Sequence, residues 1–325
     1  KLNPKTAIQQ IQYKESLKQP IKESFILPDS HQNIEMHTGQ KEDLLLQLKD
    51  NEIKTLFYHI EPMPANFEYT KSSNQIFESR LDAYSTKNAF LLRDFTNKRL
   101  SERGSVFVTL SEYYDGNGFA QRAAERVIKA VEKETGLIYK QTIYISPNSL
   151  AKKESITKLV DGMEMMLWFV KDRFSVSYDV PKLLVNEADI KGINKDSYAY
   201  KTCSNYLDSE IYQNLIKANN LPKGKDFPQE DGSKGAFNNP AAFLPIKLTT
   251  SPGELVVDLS MRHDVAQIST LLNRRYIGIT NDKSVFGKVK AKVSATVTAR
   301  ATKSVSVKIT DPGNIGVGKA KKTTK

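Results

Sequence analysis

Apolar residues recur along this chain with two different periods, and the changes of period outline its elements. The run Leu255-Val256-Val257 stops at Asp258, a turn follows, and Val265, Ile268, Leu271 and Leu272 fall at helical spacing. Tyr276-Ile277-Gly278-Ile279 then returns to an extended run. Residues 251–280 thus predict one strand–turn–helix–strand unit of an α/β sheet, the layout of a Rossmann-like nucleotide site. Upstream, Leu44, Leu45, Leu46 and Leu48 predict a short helix over 41–49 before a strand over 54–59. Residues 72–102 predict a helix burying Ile76, Leu81, Phe90, Leu91, Leu92 and Phe95. A second helix over 122–135 points Ala123, Val127, Ile128 and Val131 inward. Residues 138–145 and 165–170 predict antiparallel strands, with Trp168 read as core rather than as a base-stacking ring.

The C-terminal segment follows the other period. Val289, Ala291, Val293, Ala295, Val297, Ala299, Ala301, Val305, Val307 and Ile309 all occupy odd positions, with Lys, Thr and Ser filling most even ones. This alternation predicts a β-hairpin turning near Thr302-Lys303, with one small apolar face and one basic face. Such a hairpin could bind phosphates, add its edge to a neighbouring sheet, or lie solvated on the surface. Asp311-Pro312-Gly313-Asn314 ends it as a turn, and 316–325 forms a basic tail. Residues 1–30 are polar with Pro4, Pro20 and Pro28, and predict an arm. Residues 172–235 are loop-rich, mixing Tyr178, Tyr198, Tyr200, Tyr206, Tyr212 and Phe227 with lysines. Acidic residues there are nearly as frequent, so base recognition is the minor reading. Asp115-Gly116-Asn117-Gly118 has no following Lys-Ser/Thr and reads as a plain turn, not a phosphate loop.

Charge sharpens this division. The chain of 325 residues carries a net +11, and 283–325 alone holds eleven basic residues against Asp311, or +10. The body is therefore near neutral, which argues against a broad DNA-binding cleft but leaves room for local patches. No apolar run approaches the ~20 residues of a membrane span, and Lys1-Leu2-Asn3-Pro4 has no apolar signal core. A single Cys203 excludes an intramolecular disulfide and fits a reducing compartment, so the expected location is the cytoplasm. His31, His37, His59 and His263 show no metal-ligand spacing, and no metal site is expected.

Ser251-Pro252-Gly253-Glu254-Leu255-Val256-Val257-Asp258 followed by Leu272-Asn273-Arg274-Arg275-Tyr276-Ile277-Gly278-Ile279 carries a family pattern. So do Phe237-Asn238-Asn239-Pro240-Ala241-Ala242-Phe243-Leu244-Pro245, Met163-Glu164-Met165-Met166-Leu167-Trp168-Phe169-Val170-Lys171 and Gly104-Ser105-Val106-Phe107-Val108-Thr109-Leu110. In order, these blocks resemble the permuted β class of DNA amino-methyltransferases, which methylate adenine N6 or cytosine N4 with S-adenosylmethionine. The resemblance covers roughly residues 36–280 and implies a Rossmann-like methyltransferase fold, a mixed, mostly parallel sheet with helices on both faces. The hairpin would be an addition to it. It divides the chain into an arm (1–30), a catalytic half (31–171), a target-recognition-like insertion (172–235), a cofactor half (236–282) and the basic appendage (283–325).

The residues the resemblance assigns to chemistry are altered. Glu61-Pro62-Met63-Pro64 stands where the family has Asp-Pro-Pro-Tyr, whose carboxylate holds the target amine within ~2.6–3.2 Å. Glu61 is one methylene too long, and Pro64 replaces a ring whose stacking is worth ~1–3 kcal/mol. The glycine-rich loop has become Asp258-Leu259-Ser260-Met261-Arg262-His263-Asp264, and Thr280 replaces the acidic residue that would bind the ribose. Arg262 would also face a cationic sulfonium. The chain therefore reads as a non-catalytic member needing no cofactor, retained for binding or assembly. Its expected partner is a protein or a second copy, with DNA reached through Lys288, Lys290, Lys292, Arg300, Lys308, Lys319, Lys321 and Lys322. A phage or virion would suit such reuse. Two alternatives remain open. One is an active methyltransferase in which Glu61 and Asp258 carry the polar contacts, and the other a small-molecule site in the vacated cleft lined by Glu61, Met63, Asp258, Arg262 and His263.

Overall fold

The computed structural model describes residues 23–29, 32–61, 74–112, 120–145, 164–174, 206–207, 242–261 and 265–309. Among them the strands are β1 (Glu23–Asp29), β2 (Gln32–Thr38), β3 (Ile53–His59), β4 (Leu100–Leu110), β5 (Ile138–Ile145), β6 (Glu164–Val170), β7 (Tyr206–Leu207), β8 (Leu255–Asp258) and β9 (Arg275–Thr280). They form one sheet in the order β1-β2-β9-β8-β3-β4-β6-β5-β7. From β2 to β4 every neighbouring pair is parallel, and antiparallel pairs occur only outside that block. The central strands are buried on both faces, as continuous runs such as Val106-Phe107-Val108 require.

Two apolar cores flank the sheet. Helices α1 (Asn74–Lys98) and α2 (Ala123–Thr135) cover one face, where Ala89, Leu92, Phe95, Val127 and Val131 meet Leu56, Val108 and Val257. Helices α3 (Phe243–Thr249), α4 (Val265–Leu271) and α5 (Lys283–Ile309) cover the other, where Phe243, Ile268, Phe286 and Val293 meet Phe57, Phe107 and Trp168. Trp168 is fully buried with its ring 5.3 Å from that of Phe107, as a core residue should be. The chain leaves β3 through α1 towards β4 and leaves β8 through α4 towards β9 on the opposite face. Neighbouring strands β3 and β8 thus send their connections apart, which opens a crevice above their carboxyl ends.

Four elements differ from the pattern-based reading. Residues 23–29, read as part of a polar arm, form β1, an edge strand antiparallel to β2. The segment 41–49 is a six-residue 3-10 helix, Lys41–Leu46. The long helix stops at Lys98 because Asn51 and Ile53 donate to the carbonyls of Lys98 and Arg99, at 2.8 Å each, and Leu100 is buried as a strand residue. The predicted C-terminal hairpin is instead the 27-residue helix α5. Odd-position alternation hides a helical stripe, because Phe286, Val289, Val293 and Thr296 lie three and four apart and turn to one side. Phe286, Val293 and Thr296 are buried and Val289 packs against them, whereas Ser294 and Lys292 are exposed. Asp282 starts the helix by accepting from the N–H groups of Ser284 and Val285, at 2.8 and 3.3 Å. The expected turn at 311–314, the tail 316–325, the turn at 115–118 and almost all of 172–235 lie outside the described residues.

A helix and a hairpin make opposite demands on two neighbouring odd positions. Val293→Asp should cost about 3 kcal/mol or more by placing an unpaired charge in the core. Ala291→Asp, at a half-buried position, should cost less than half as much in urea denaturation. Equal losses would restore the two-faced hairpin.

Candidate functional site

The parallel strands end along one edge of the sheet, at Thr38, Thr280, Asp258, His59 and Leu110. Asp258 is buried there, and its Oδ1 accepts from the N–H groups of Ser260 and Met261 at 2.9 and 3.0 Å. The loop is also stitched across the crevice. Leu259 N–H donates to the Phe57 carbonyl at 3.0 Å, His59 N–H donates to Ser260 Oγ at 3.0 Å, and Ser260 Oγ donates back to the His59 carbonyl at 3.4 Å. Met261 follows in the left-handed region, with φ 47°, where a side chain costs roughly 1 kcal/mol or more. That side chain is buried in the α3–α5 core. The loop therefore keeps a tight turn after β8 but fills it with a large apolar residue.

Beneath Asp258 little space remains. The cavity lined by Asp258, Met261, Val265, Tyr276, Val289 and Val293 has a volume of about 10 Å³. That is at the limit for a single water, against the roughly 300 Å³ or more of a ligand pocket. Tyr276 is fully buried and directs its hydroxyl to Asp258 Oδ2 at 3.5 Å. Burial, then the Asp258 charge, pushes its phenol well above the ordinary value of 10. A Cβ at Gly278 would lie 2.1 Å from that hydroxyl, so the tyrosine takes up the space that a side chain there would need.

Around the mouth lie two residues that pattern reading passed over. Lys41 opens the 3-10 helix with its ammonium 4.5 Å from the centroid of the Tyr58 ring. Burial lowers its pKa from the ordinary 10.5, against the attraction of the Glu42, Glu61 and Asp258 carboxylates. His59 is buried at the end of β3, its Nδ1 2.9 Å from Thr109 Oγ1 and 3.5 Å from Glu164 Oε1. Its Nε2 lies 3.9 Å from Glu61 Oε2. Neither residue sits in a motif that names it. Only the sheet order brings Lys41, His59 and Glu164 to one edge.

The charges of Glu61 and Asp258 both act on the Lys41 ammonium, and the Glu61 carbonyl accepts from the Tyr84 hydroxyl at 2.7 Å. Thr280 is buried, and its hydroxyl accepts from Asp282 N–H at 3.1 Å. Asp282, two positions on, has one carboxylate oxygen committed to capping α5. On α5, Lys288 and Lys292 share a face, whereas Lys290 lies 4.8 Å from the centroid of the Phe25 ring on β1. Pro62, Met63, Pro64, Arg262, His263, Asp264, Lys319, Lys321 and Lys322 lie outside the described residues, as do the side chains of Arg300 and Lys308. Among the described residues, Met261 and Tyr276 take up the space between Asp258 and the helices α4 and α5.

No protein-family model and no curated protein matches the chain. Solved structures do. The PvuII DNA methyltransferase (cytosine-N4-specific) superposes with a TM-score of 0.56 at 15% identity, covering 87% of this chain and 95% of that one. A protein of Thermus thermophilus described as a DNA modification methylase gives a TM-score of 0.54 at 11% identity, over 81% and 94% of the two chains. The same protein complexed with S-adenosyl-L-methionine gives 0.51 at 11% identity, over 81% and 93%. The fold of this chain is the α/β Rossmann-like fold of these DNA methyltransferases.

Proposed function

We propose that this chain is a non-catalytic protein on a DNA-methyltransferase fold, retained for binding or assembly, with α5 and the basic segment after it as the contact to its partner. The observation that carries this is the filled turn after β8: Met261, buried in the left-handed region, and Tyr276 leave about 10 Å³ between Asp258 and the helices α4 and α5. A glycine turn would offer bare backbone to a methyl donor, and a packed side chain at Met261 takes that freedom away. The altered Glu61-Pro62-Met63-Pro64 segment supports the same reading, since one methylene and a lost ring each remove a contact to a target base. On the binding side, α5 contains no acidic residue over its 27 residues, which suits a polyanion and above all DNA.

Isothermal titration with S-adenosylmethionine to about 1 mM should give no heat beyond dilution, and a labelled-methyl assay on duplex DNA no transfer. Saturable binding below about 100 µM would overturn the proposal.

Lys41 supplies a separate test of the crowded mouth. Its folded-state pKa lies below its unfolded one, so between the two the unfolded chain binds more protons and stability rises with pH. Relative to Lys41→Met, the wild-type protein should therefore gain stability as the pH climbs towards 10.5, read as the difference in urea unfolding free energy at pH 7 and pH 10. A difference independent of pH would place the ammonium in open solvent.

A further inference from the structure

Helix α2 carries a second charged feature, away from the crevice loop and unrelated to α5. Arg122, Arg126, Lys129 and Lys133 recur at intervals of four, three and four residues, so they share one helical stripe. The stripe lies beside the buried line of Val127, Ala130 and Val131 that docks α2 on the sheet. It faces a groove against α1, of about 380 Å³, closed on the far side by Asp82 and Thr86. Arg122 stands at the start of the helix, with φ 55°, on the edge of the sheet where β4 ends. The cations therefore descend about 16 Å from the rim of the crevice along the flank.

The chemistry of the lining limits what can dock there. Apart from Ala130 the groove has no apolar floor, whereas protein interfaces rest on buried aromatic and apolar anchors. It presents no ring on which an unpaired base could stack. Four cations line the groove with two carboxylates, Asp82 and Glu125, and Glu134 flanks it with its Oε1 3.7 Å from Lys133 Nζ, which still leaves a net positive charge in a body otherwise near neutral. Asp82 Oδ1 holds Arg126 Nη1 at 2.6 Å and fixes its direction, and Arg122 reaches Glu125 only at 3.8 Å. Lys129 and Lys133 are exposed. The helix N-terminus is not the attraction, because Ala123 N–H already donates to Glu112 Oε1 at 2.9 Å. We propose that the α1–α2 groove is a docking surface for duplex nucleic acid, held through three or so backbone phosphates without base readout. It goes beyond the α5 contact and does not depend on whether the crevice binds a methyl donor.

The test uses the full chain and a fluorescently labelled 20-base-pair duplex, with anisotropy read across a salt series. Three phosphate contacts contribute about −2.7 to the slope of log K against log salt. The variant R122A/K129A/K133A should bind at least tenfold more weakly at 50 mM salt and lose most of that share of the slope, with its thermal unfolding unchanged. R122K/K129R/K133R should bind as the wild type does. Removing 310–325 should leave the difference between wild type and triple variant intact. Unchanged affinity and slope in R122A/K129A/K133A would overturn the proposal, as would three-residue-dependent binding of poly-glutamate without binding of the duplex. Neither result would touch the calorimetric test with S-adenosylmethionine.

Discussion

The hydrogen bonds that close the loop after β8 onto β3 are the constraint on which the rest of the molecule depends. Two halves of the sheet send their helices apart between these strands, and such a boundary opens unless something crosses it. Leu259 and Ser260 cross it through the carbonyl of Phe57 and both backbone groups of His59. Asp258 spends one carboxylate oxygen holding that loop in shape. In a site built for a nucleotide, the same place would offer bare backbone to the ligand. Here it offers Met261, turned inward at a left-handed residue and packed among the side chains of α4 and α5. The apolar burial offsets the backbone strain.

Tyr276 and Lys41 extend that logic along the edge. The tyrosine fills the volume over Gly278 and keeps its proton beside the Asp258 carboxylate, because ionising it would bury a second negative charge. Lys41 then places a cation near Glu61 and Asp258, the two carboxylates that the family resemblance marks as functional. A partly buried carboxylate needs a positive neighbour, and in this chain a side chain provides it. The fold of a DNA methyltransferase is thus compatible with an edge whose polar groups satisfy one another.

Much of this was legible from the residues. The strand–turn–helix–strand unit ending at Thr280, the helices that became α1 and α2, and the antiparallel pair β5–β6 follow from their apolar spacing because each buries a single stripe or a full strand, although Phe90, read as part of the stripe of α1, is exposed. The segment after Asp282 misled because valines and alanines on odd positions satisfy a period of two and, at 286, 289, 293 and 296, a helical period as well. Helix-favouring alanines and lysines, together with the Asp282 cap, decide between them. Lys41 and His59 were not legible as site residues, since nothing local to a lone lysine or histidine shows which strand ends will surround it. The order β2-β9-β8-β3-β4 supplies that information. The near-neutral charge of the body concealed the stripe on α2 in the same way, because carboxylates elsewhere cancel it in the total.

The most direct test of the closed edge is a crystal structure of this protein soaked in millimolar S-adenosylmethionine. The expected result is an unchanged loop, with Met261 buried and the Lys41 ammonium over the Tyr58 ring. Density for an adenosyl group along the ends of β8 and β9, with Met261 swung out, would contradict it.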